Sequence, residues 1–163
     1  MRPADFSIRP ASPGYAGAIL RVHRRAILIL ARESYSEVEL QSWTYGLSED
    51  FYRARTEDTA HFEVAENPAG LLIGFAATRQ DEVWLVYVDP DWVRRGVGSA
   101  LLARAERHLL DAGLKDIWVQ SSLNAQAFYV AHGYVRQKSL DAATRGDVSL
   151  KALRMTKTLA PSD

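Results

Sequence analysis

The chain has 163 residues, in which 20 lysines and arginines balance 20 aspartates and glutamates, with four histidines and no cysteine. This length is most simply one domain over residues 1–163, with enough apolar residues to bury a core. The balanced charge gives no overall attraction for nucleic acid or an anionic membrane, so neither is an expected partner. The absence of cysteine excludes disulfides, thiolate nucleophiles and cysteine-ligated zinc.

The amino-terminal segment 1–13 is polar, contains prolines and lacks the apolar run of a signal peptide. The most apolar early segment, 26–31, is too short to span a bilayer. We therefore expect a cytoplasmic protein.

The spacing of apolar residues predicts a short strand at 6–9 and a helix from 14 to about 32. Ser36, followed three residues later by Glu39, has the form of a capping box that opens a second helix, and a third helical segment is predicted from Ser48. The period then changes to that of strands separated by turn residues. Three strands are predicted, at 61–66, 71–79 and 83–88.

The second half alternates helices with strands. A helix is predicted from about Gly96, with Gly113 as its C-terminal stop. After it we predict a strand at 116–120, a short helix at 125–132 and two closing strands at 134–140 and 150–158. Because a helix joins strands 83–88 and 116–120, these two should be parallel, whereas the preceding strands form a meander. The order predicts an α/β (α+β mixed) fold: a mixed sheet of six to seven strands with helices on both faces.

The loop before the central helix reads Arg94-Arg95-Gly96-Val97-Gly98. A helix start carries unpaired N–H groups and a partial positive charge, and glycines there let an anion approach the backbone. The loop therefore predicts a phosphate or pyrophosphate site, with an ordinary glycine turn beside solvated arginines as the alternative. It is not a Walker loop, because no Gly-Lys-Ser/Thr follows, nor a dinucleotide fingerprint, because Leu101 stands where the third glycine belongs.

This loop resembles the acyl-CoA loop of the GNAT (Gcn5-related) N-acetyltransferases, Gln/Arg-x-x-Gly-x-Gly/Ala. Gly96 and Gly98 fall on the glycine positions, whereas Val93 replaces the Gln/Arg. A second segment, from Ser122 to Tyr134, resembles the family's Asn-x-x-Ala-x-x-Phe-Tyr-x-x-x-Gly-Phe motif. The resemblance covers most of 6–159 and implies the GNAT acyl-CoA N-acyltransferase fold.

The resemblance implies acetyl-CoA as co-substrate, with its pantetheine paired along strand 83–88 and its pyrophosphate in the glycine loop. Ser122 and Asn124 are expected to cap the short helix and contact the pantetheine, and a backbone N–H near Val88 to receive the developing oxyanion. The implied cofactor-binding residues are Val86, Tyr87, Val88, Arg94, Arg95, Gly96, Val97, Gly98, Ser99, Ser122, Asn124 and Tyr129.

Acyl transfer to an amine requires an acid for the leaving thiolate. A tyrosine, with a pKa of about 10 against about 8.5 for a thiol, stays protonated at neutral pH and can donate a proton. Tyr129 is the candidate acid by motif position and chemistry, and packing in the core beside Phe128 is the alternative.

The incoming amine must lose a proton, which calls for a base or a water chain. Glu82 lies six residues before Val88. It is expected on the same strand face as Trp84, Val86 and Val88. It is also where several family members carry a catalytic glutamate, although a solvated hairpin carboxylate is an equal alternative. The other contenders for the base are His23, Glu33 and Asp81.

Aromatic residues in 14–58 could wall an acceptor pocket or simply pack helices onto the sheet. The candidates for substrate contact are His23, Tyr35, Trp43 and Tyr52, with Phe51 beside them. The polar segment 141–149 is expected to be a flexible loop at the edge of the acceptor site, or a plain hairpin loop. Trp84 and Trp118 are expected to be structural, Trp92 to shield the cofactor, and His108 and His132 to lie on solvated helix faces.

The histidines show no metal-ligand spacing, so no metal is expected. We interpret the sequence as an acetyl-CoA-dependent N-acetyltransferase acting on a primary amine, most simply of a small molecule. Direct attack in a ternary complex is favoured because no cysteine can carry an acetyl group. The alternatives are a protein N-terminal or lysine acetyltransferase, or a non-catalytic CoA-binding sensor module. A homodimer is compatible with the resemblance.

Overall fold

The computed structural model describes residues 5–58 and 60–161. Twelve helices and strands, joined by turns and short 3-10 segments, follow the predicted order. They are β1 (Ser7–Pro10), α1 (Ala16–Leu30), α2 (Glu37–Thr44), α3 (Glu49–Asp58), β2 (His61–Glu66), β3 (Leu72–Arg79), β4 (Glu82–Val88), α4 (Val97–Asp111), β5 (Asp116–Ser122), α5 (Gln126–Ala131), β6 (Val135–Ala142) and β7 (Leu150–Thr158). The predicted fold class is therefore confirmed.

Local sequence accounts for the ends of the helices. Ser36 caps α2 with a complete capping box, because its hydroxyl accepts from the Glu39 N–H at 3.2 Å and the Glu39 carboxylate accepts from the Ser36 N–H at 2.9 Å. Gly113, with φ +85°, ends α4, as predicted. The Leu114 N–H donates to the Leu109 carbonyl at 3.0 Å, which closes a Schellman motif.

The seven strands form one sheet in the order β1-β2-β3-β4-β5-β7-β6. Neighbouring strands are antiparallel except β4 and β5, which are parallel, as the helical crossover through α4 predicts. β7 lies between β5 and β6 and pairs with both.

Apolar side chains cover both faces of the sheet. On one face α4 buries Leu101, Leu102 and Ala105 in a cluster with Val83 and Met155. On the other face α1 packs its buried residues against β2 and β3, in a cluster that includes Ile19, Val22, Phe62, Val64 and Phe75. The sheet is thus held between α4 and α1, which leaves its central strands rigid enough to position a site.

The two parallel strands diverge along their length. β4 and β5 pair only through Glu82 with Trp118 and Val83 with Val119, at the amino-terminal end of β4 and the middle of β5. Beyond Val83 the strands separate, so the edge of β4 that faces β5 is free of it over 84–88. This V-shaped opening is called the wedge below.

None of the helices in the described ranges combines the length and the apolar character that a membrane crossing needs.

Candidate active site

The wedge opens into a cavity of about 630 Å³, the wedge cavity, between β4, β5, the start of α4 and α5. It is large enough to accept a substantial ligand arm. Most of the predicted cofactor-binding residues line it: Val86, Tyr87, Val88, Arg94, Gly96, Gly98, Ser99, Ser122, Asn124 and Tyr129.

The glycine loop presents backbone N–H groups to this cavity. Gly96 caps α4 with φ +84°, and the first helical hydrogen bond is donated by the Ala100 N–H to the Gly96 carbonyl at 3.0 Å. The N–H groups of residues 97–99 therefore precede the helical ladder and have no acceptor within the helix. Arg94, itself at φ +62°, lies beside them. The partial positive charge of the helix start, the N–H donors that have no acceptor within the helix, and the cationic Arg94 side chain together suit a pyrophosphate.

Two of the predicted cofactor-binding residues do not line the cavity. The guanidinium of Arg95 stacks over the Trp92 ring, 4.7 Å from its centroid. The Val97 side chain is buried in the α4 cluster, so only its backbone can face a ligand. Trp92 itself, expected to shield the cofactor, also lies outside the cavity lining.

Tyr129 on α5 belongs both to the wall of the cavity and to the core. Its ring makes edge-on contacts with Phe128 at 5.2 Å and Tyr134 at 5.3 Å between centroids. Burial raises the pKa of the Tyr129 hydroxyl well above its ordinary value, so the group stays protonated. The two interpretations of Tyr129, acid and core residue, are thus compatible in one position.

The turn into α5 is held differently from the expected cap. Ser122 occupies the cap position of the 3-10 segment that leads into α5, but its side chain makes no capping hydrogen bond. Instead, the Leu123 N–H donates to the Tyr35 hydroxyl at 2.9 Å, and this hydroxyl donates to the Lys151 carbonyl at 2.6 Å. Tyr35 therefore ties the α1–α2 connection to β7 and the β5–α5 turn.

A second cavity of about 360 Å³, the aromatic cleft, adjoins the wedge cavity. The two share Trp43, Trp84, Tyr87, Gln120 and Ser122 in their linings. Of the predicted substrate-contact residues, His23, Tyr35 and Trp43 line the cleft. Tyr52 does not: it is fully buried, and its hydroxyl lies 2.6 Å from His23 Nδ1.

Glu82 lies in the wall of the aromatic cleft, buried and paired with Arg79, whose Nε lies 2.8 Å from Glu82 Oε2. The carboxylate is therefore not a solvated hairpin group. The prediction that Glu82 shares a strand face with Val86 and Val88 is wrong, because a β-bulge inserts one residue of β4 between Val83 and Leu85. Beyond the bulge Val86 and Val88 pack toward α4.

The bulge decides which side chains reach the cleft. Because the alternation shifts by one, Trp84, Leu85 and Tyr87 all pack on the α1 side and line the cleft together with Glu82. Trp84 and Trp118, expected to be structural, also line the cleft, and Trp84 packs against the core cluster on the α1 side as well.

His23 is the most unusual polar group of the cleft. It is 4% exposed, its Nδ1 bonds Tyr52, and its Nε2 is buried without a partner among the described residues. Its ring lies against Tyr87, 4.1 Å between centroids. Burial lowers the pKa of His23 to about 3, so the imidazole is neutral at physiological pH and is a poor base for an ammonium group.

The segment between β6 and β7 edges the cleft, as expected, but it is not a free loop. Ser42 of α2 fastens it, since the Ser42 hydroxyl lies 2.7 Å from Thr144 Oγ1 and accepts from the Val148 N–H at 3.0 Å. Gly146 packs so closely that a Cβ there would lie 2.8 Å from the Ser42 Cα. The loop is therefore anchored to α2, and Arg145, which it carries, lines the cleft.

Only one of the two histidines expected on solvated helix faces is solvent-exposed. His108 is exposed, but its ring stacks on that of His61 at 3.8 Å. His132 is half-buried and hydrogen-bonded at both nitrogens, to the Phe128 carbonyl oxygen at 2.7 Å and to Ser99 Oγ at 2.9 Å. Within the described residues, no group of three or more metal-ligating side chains is arranged to hold an ion.

Comparison with known proteins identifies the family to which the chain belongs. The model of the acetyltransferase (GNAT) domain family matches residues 31–159, and this chain belongs to that family. The chain is 24% identical over 142 residues to the uncharacterized N-acetyltransferase YafP of Escherichia coli K12, a match that covers 87% of this chain and 89% of that protein.

Two solved structures show the same fold. A GCN5-related N-acetyltransferase from Rhodopseudomonas palustris superposes with a TM-score of 0.90 at 28% identity, over 98% of this chain and 99% of that one. A phosphinothricin acetyltransferase from Sinorhizobium meliloti, solved in complex with acetyl-CoA, has a TM-score of 0.74 at 19% identity, over 95% of this chain and 89% of that one.

Sequence reasoning missed several residues of the two cavities. Trp118 and Gln120 follow from strand alternation once β5 is placed, and Trp84 follows once the bulge in β4 is known. No local sequence pattern indicated a role for Arg145 or His132, because the position of each side chain depends on a contact between segments distant in the chain.

Proposed function

We propose that this chain is an acetyl-CoA-dependent N-acetyltransferase that acts on the primary amine of a small molecule by direct attack in a ternary complex. The observation that carries the proposal is the junction of two cavities at Trp84, Tyr87, Gln120 and Ser122. One cavity ends in a helix start suited to a pyrophosphate, and the other offers a buried carboxylate. The acetyl donor and the amine acceptor can therefore meet directly, without an acetylated protein residue as an intermediate.

The wedge cavity fits an acyl-CoA. The N–H groups of residues 97–99 and Arg94 would hold the pyrophosphate, and the free edge of β4 over 84–88 would pair with the pantetheine as an added strand. The remaining predicted contacts, including Ser99, Ser122 and Asn124, line this path. A backbone N–H of β4 near Val88 stays the predicted oxyanion donor.

In this scheme Glu82 receives the amine's proton, directly or through water, and Arg79 orients its carboxylate. Tyr129 donates a proton to the leaving thiolate, and its raised pKa means that the hydroxyl is protonated when the thiolate forms. The neutral, buried His23 is better suited to positioning than to proton transfer.

A small acceptor is favoured over a protein chain by the dimensions of the aromatic cleft, about 360 Å³ with walls on several sides. A lysine or N-terminal amine on a protein would also need a groove leading to the cleft for the flanking chain.

The test has two stages. Calorimetry with coenzyme A measures binding, and a thiol-release assay with acetyl-CoA and a panel of amines measures turnover. Binding at micromolar levels with turnover on small amines supports the proposal. Binding without turnover on any small amine or peptide would favour the sensor module, and no heat of binding at millimolar coenzyme A would remove the whole assignment.

A further inference from the structure

The aromatic cleft carries a net positive charge although the chain as a whole is neutral. Among its lining residues only three side chains are formally charged: Arg79, Arg145 and Glu82. Glu82 is already paired with Arg79, and His23 is neutral because burial lowers its pKa to about 3. Arg145 is left as the uncompensated charge of the cleft.

Arg145 is held in place by neutral groups. Its guanidinium stacks on the Phe51 ring, 3.9 Å from the centroid, and donates through Nη1 to the Gly46 carbonyl at 3.2 Å. Among the described side chains, no carboxylate forms an ion pair with it. A guanidinium has five N–H donors in a planar fork, so most of its donors remain available to a ligand.

The surroundings of Arg145 add positive charge. Arg55 stacks on the same Phe51 ring, 3.7 Å from the centroid, and donates to the Phe51 carbonyl. Burial, together with the charges of Arg145 and Arg79, lowers the pKa of the Arg55 guanidinium. Three cations thus lie close together beside one buried carboxylate, an arrangement that an anion entering the cleft would stabilise.

The position of Arg145 is fixed as well as its charge. The neighbouring residues Thr144 and Gly146 are fastened to Ser42 of α2, as described above. A guanidinium on an anchored backbone loses less conformational freedom when it binds a ligand than one on a free loop. Bidentate pairing with a carboxylate is the geometry that such a fork favours.

We propose that the acceptor is an amine that also carries a carboxylate and an apolar or aromatic body, an amino-acid-like molecule whose carboxylate is bound by Arg145. This inference rests on the proposed function and specifies its acceptor. The aromatic walls formed by Trp43, Trp84 and Phe51 suit the apolar body. A simple amine would bring only its own positive charge into a cleft that already has an excess.

Matched pairs of amines test the proposal. L-Phenylalanine is compared with phenethylamine, and L-methionine with 3-(methylthio)propylamine, so that each pair differs in the carboxylate alone. We expect kcat/KM to be at least about tenfold higher for the carboxylate-bearing member, the ratio expected of one charge-assisted hydrogen-bonded pair. In Arg145→Met this ratio should fall close to one, mainly through KM, and Arg145→Lys should restore part of it.

The matched control is Arg53→Met, because Arg53 is an exposed arginine of α3 that pairs with Glu49 and Asp50 and does not line the cleft. It should leave the preference unchanged. Equal or better turnover of the decarboxylated amines would overturn the proposal.

A binding measurement separates this proposal from the proposed function. Calorimetry compares N-acetyl-L-phenylalanine with N-acetylphenethylamine, on the protein with and without coenzyme A. Arg145-dependent binding of the first compound alone supports the carboxylate site even if no turnover is found. If coenzyme A binds but neither compound does, or both bind equally, the carboxylate site is refuted while the proposed function stands.

Discussion

His132 joins the end of α5 to the start of α4, with Nδ1 2.7 Å from the Phe128 carbonyl oxygen and Nε2 2.9 Å from Ser99 Oγ. A carbonyl oxygen can only accept, so Nδ1 carries the hydrogen, and in the neutral ring Nε2 accepts from the Ser99 hydroxyl. The imidazole therefore orients a hydroxyl that lines the wedge cavity beside the glycine loop. His132 is a positioning residue for that loop.

Replacing His132 with alanine should weaken coenzyme A binding about fivefold, corresponding to one hydrogen bond of about 1 kcal/mol. The cause is the loss of the link that holds Ser99 and the α5 end against α4. Isothermal titration calorimetry measures the change. His108→Ala, on the exposed side of α4, is the control and should bind normally. Unchanged coenzyme A affinity in His132→Ala would mean that the contact between His132 and Ser99 contributes to packing alone.

The two loop glycines should respond differently to alanine. At Gly96 a Cβ meets nothing within 4 Å but φ is +84°, so Gly96→Ala should cost about 1 kcal/mol of folding free energy through backbone strain. At Gly98 a Cβ would meet Phe128 at 3.4 Å and Val88 at 3.5 Å, which is tolerable in the fold. A larger side chain at this position would, however, cover backbone that the pyrophosphate must approach.

Since the acyl-CoA motif admits alanine at this position, Gly98→Ala should keep both its denaturation midpoint and its coenzyme A affinity. The branched side chain of Gly98→Val should instead cost at least about tenfold in coenzyme A affinity, the loss of one charge-assisted contact. Urea denaturation and calorimetry on the three variants give the comparison. Full coenzyme A affinity in Gly98→Val would contradict the phosphate role of the loop.

Tyr129→Phe should lower kcat about 10²- to 10⁴-fold, the usual contribution of a general acid, and leave coenzyme A affinity within about twofold. The phenyl ring preserves the edge-on contacts with Phe128 and Tyr134, so stability should change little. Tyr15→Phe, remote from both cavities, controls for the general loss of a hydroxyl. Normal turnover in Tyr129→Phe would remove this residue from the chemistry.

Glu82→Gln should reduce turnover most at neutral pH, where the incoming amine still carries its proton. As the pH approaches the amine's own pKa, near 10.4 for a lysine-like amine, the base is needed less and the ratio of wild type to variant should narrow. The pH profile of kcat/KM measures this. Asp81→Asn, which alters the carboxylate that accepts from Trp118 Nε1, is the matched control. A ratio independent of pH would point to a structural role through Arg79.

His23 predicts a pH dependence of stability. Its pKa is about 6.5 in an unfolded chain and about 3 in the fold, so below pH 6.5 the unfolded state binds the extra proton. The contribution of His23 to the free energy of unfolding is therefore complete above pH 6.5. It falls by about 1.4 kcal/mol per pH unit as the pH decreases toward 3.

Urea unfolding between pH 4.5 and 7.5 should show this slope below pH 6.5. His23→Gln should reduce the slope by the amount that corresponds to about one proton taken up on unfolding. The imidazole nitrogen chemical shifts provide a second measurement, because they report the neutral ring directly. A His23 ring that becomes protonated near pH 6.5 in the folded protein would contradict the prediction.

Local sequence was sufficient for most of the fold. The capping box at Ser36, the stop at Gly113 and the change of period after residue 60 each depend on neighbouring residues alone, and all are confirmed. The glycine loop and the segment from Ser122 to Tyr134, both recognisable in the sequence, likewise contribute residues to the lining of the wedge cavity.

What sequence could not give depends on pairing between segments. The bulge in β4 arises from its register with β3 and reverses the face on which Val86 and Val88 lie relative to Glu82. Strict alternation therefore gave the wrong face for these residues. Tyr52 resembled a pocket residue in the sequence, but its hydroxyl bonds to His23 in the interior.

Gly146 lies so close to Ser42 that any side chain would displace one of the two segments. Helix α2 and the β6–β7 connection consequently form a single unit beside the aromatic cleft. Substitutions in this unit would reshape the aromatic cleft, to which it contributes Trp43 and Arg145, and leave the glycine loop at Gly96 unchanged. Divergence of acceptor range among related chains would then be expected to concentrate at these two segments.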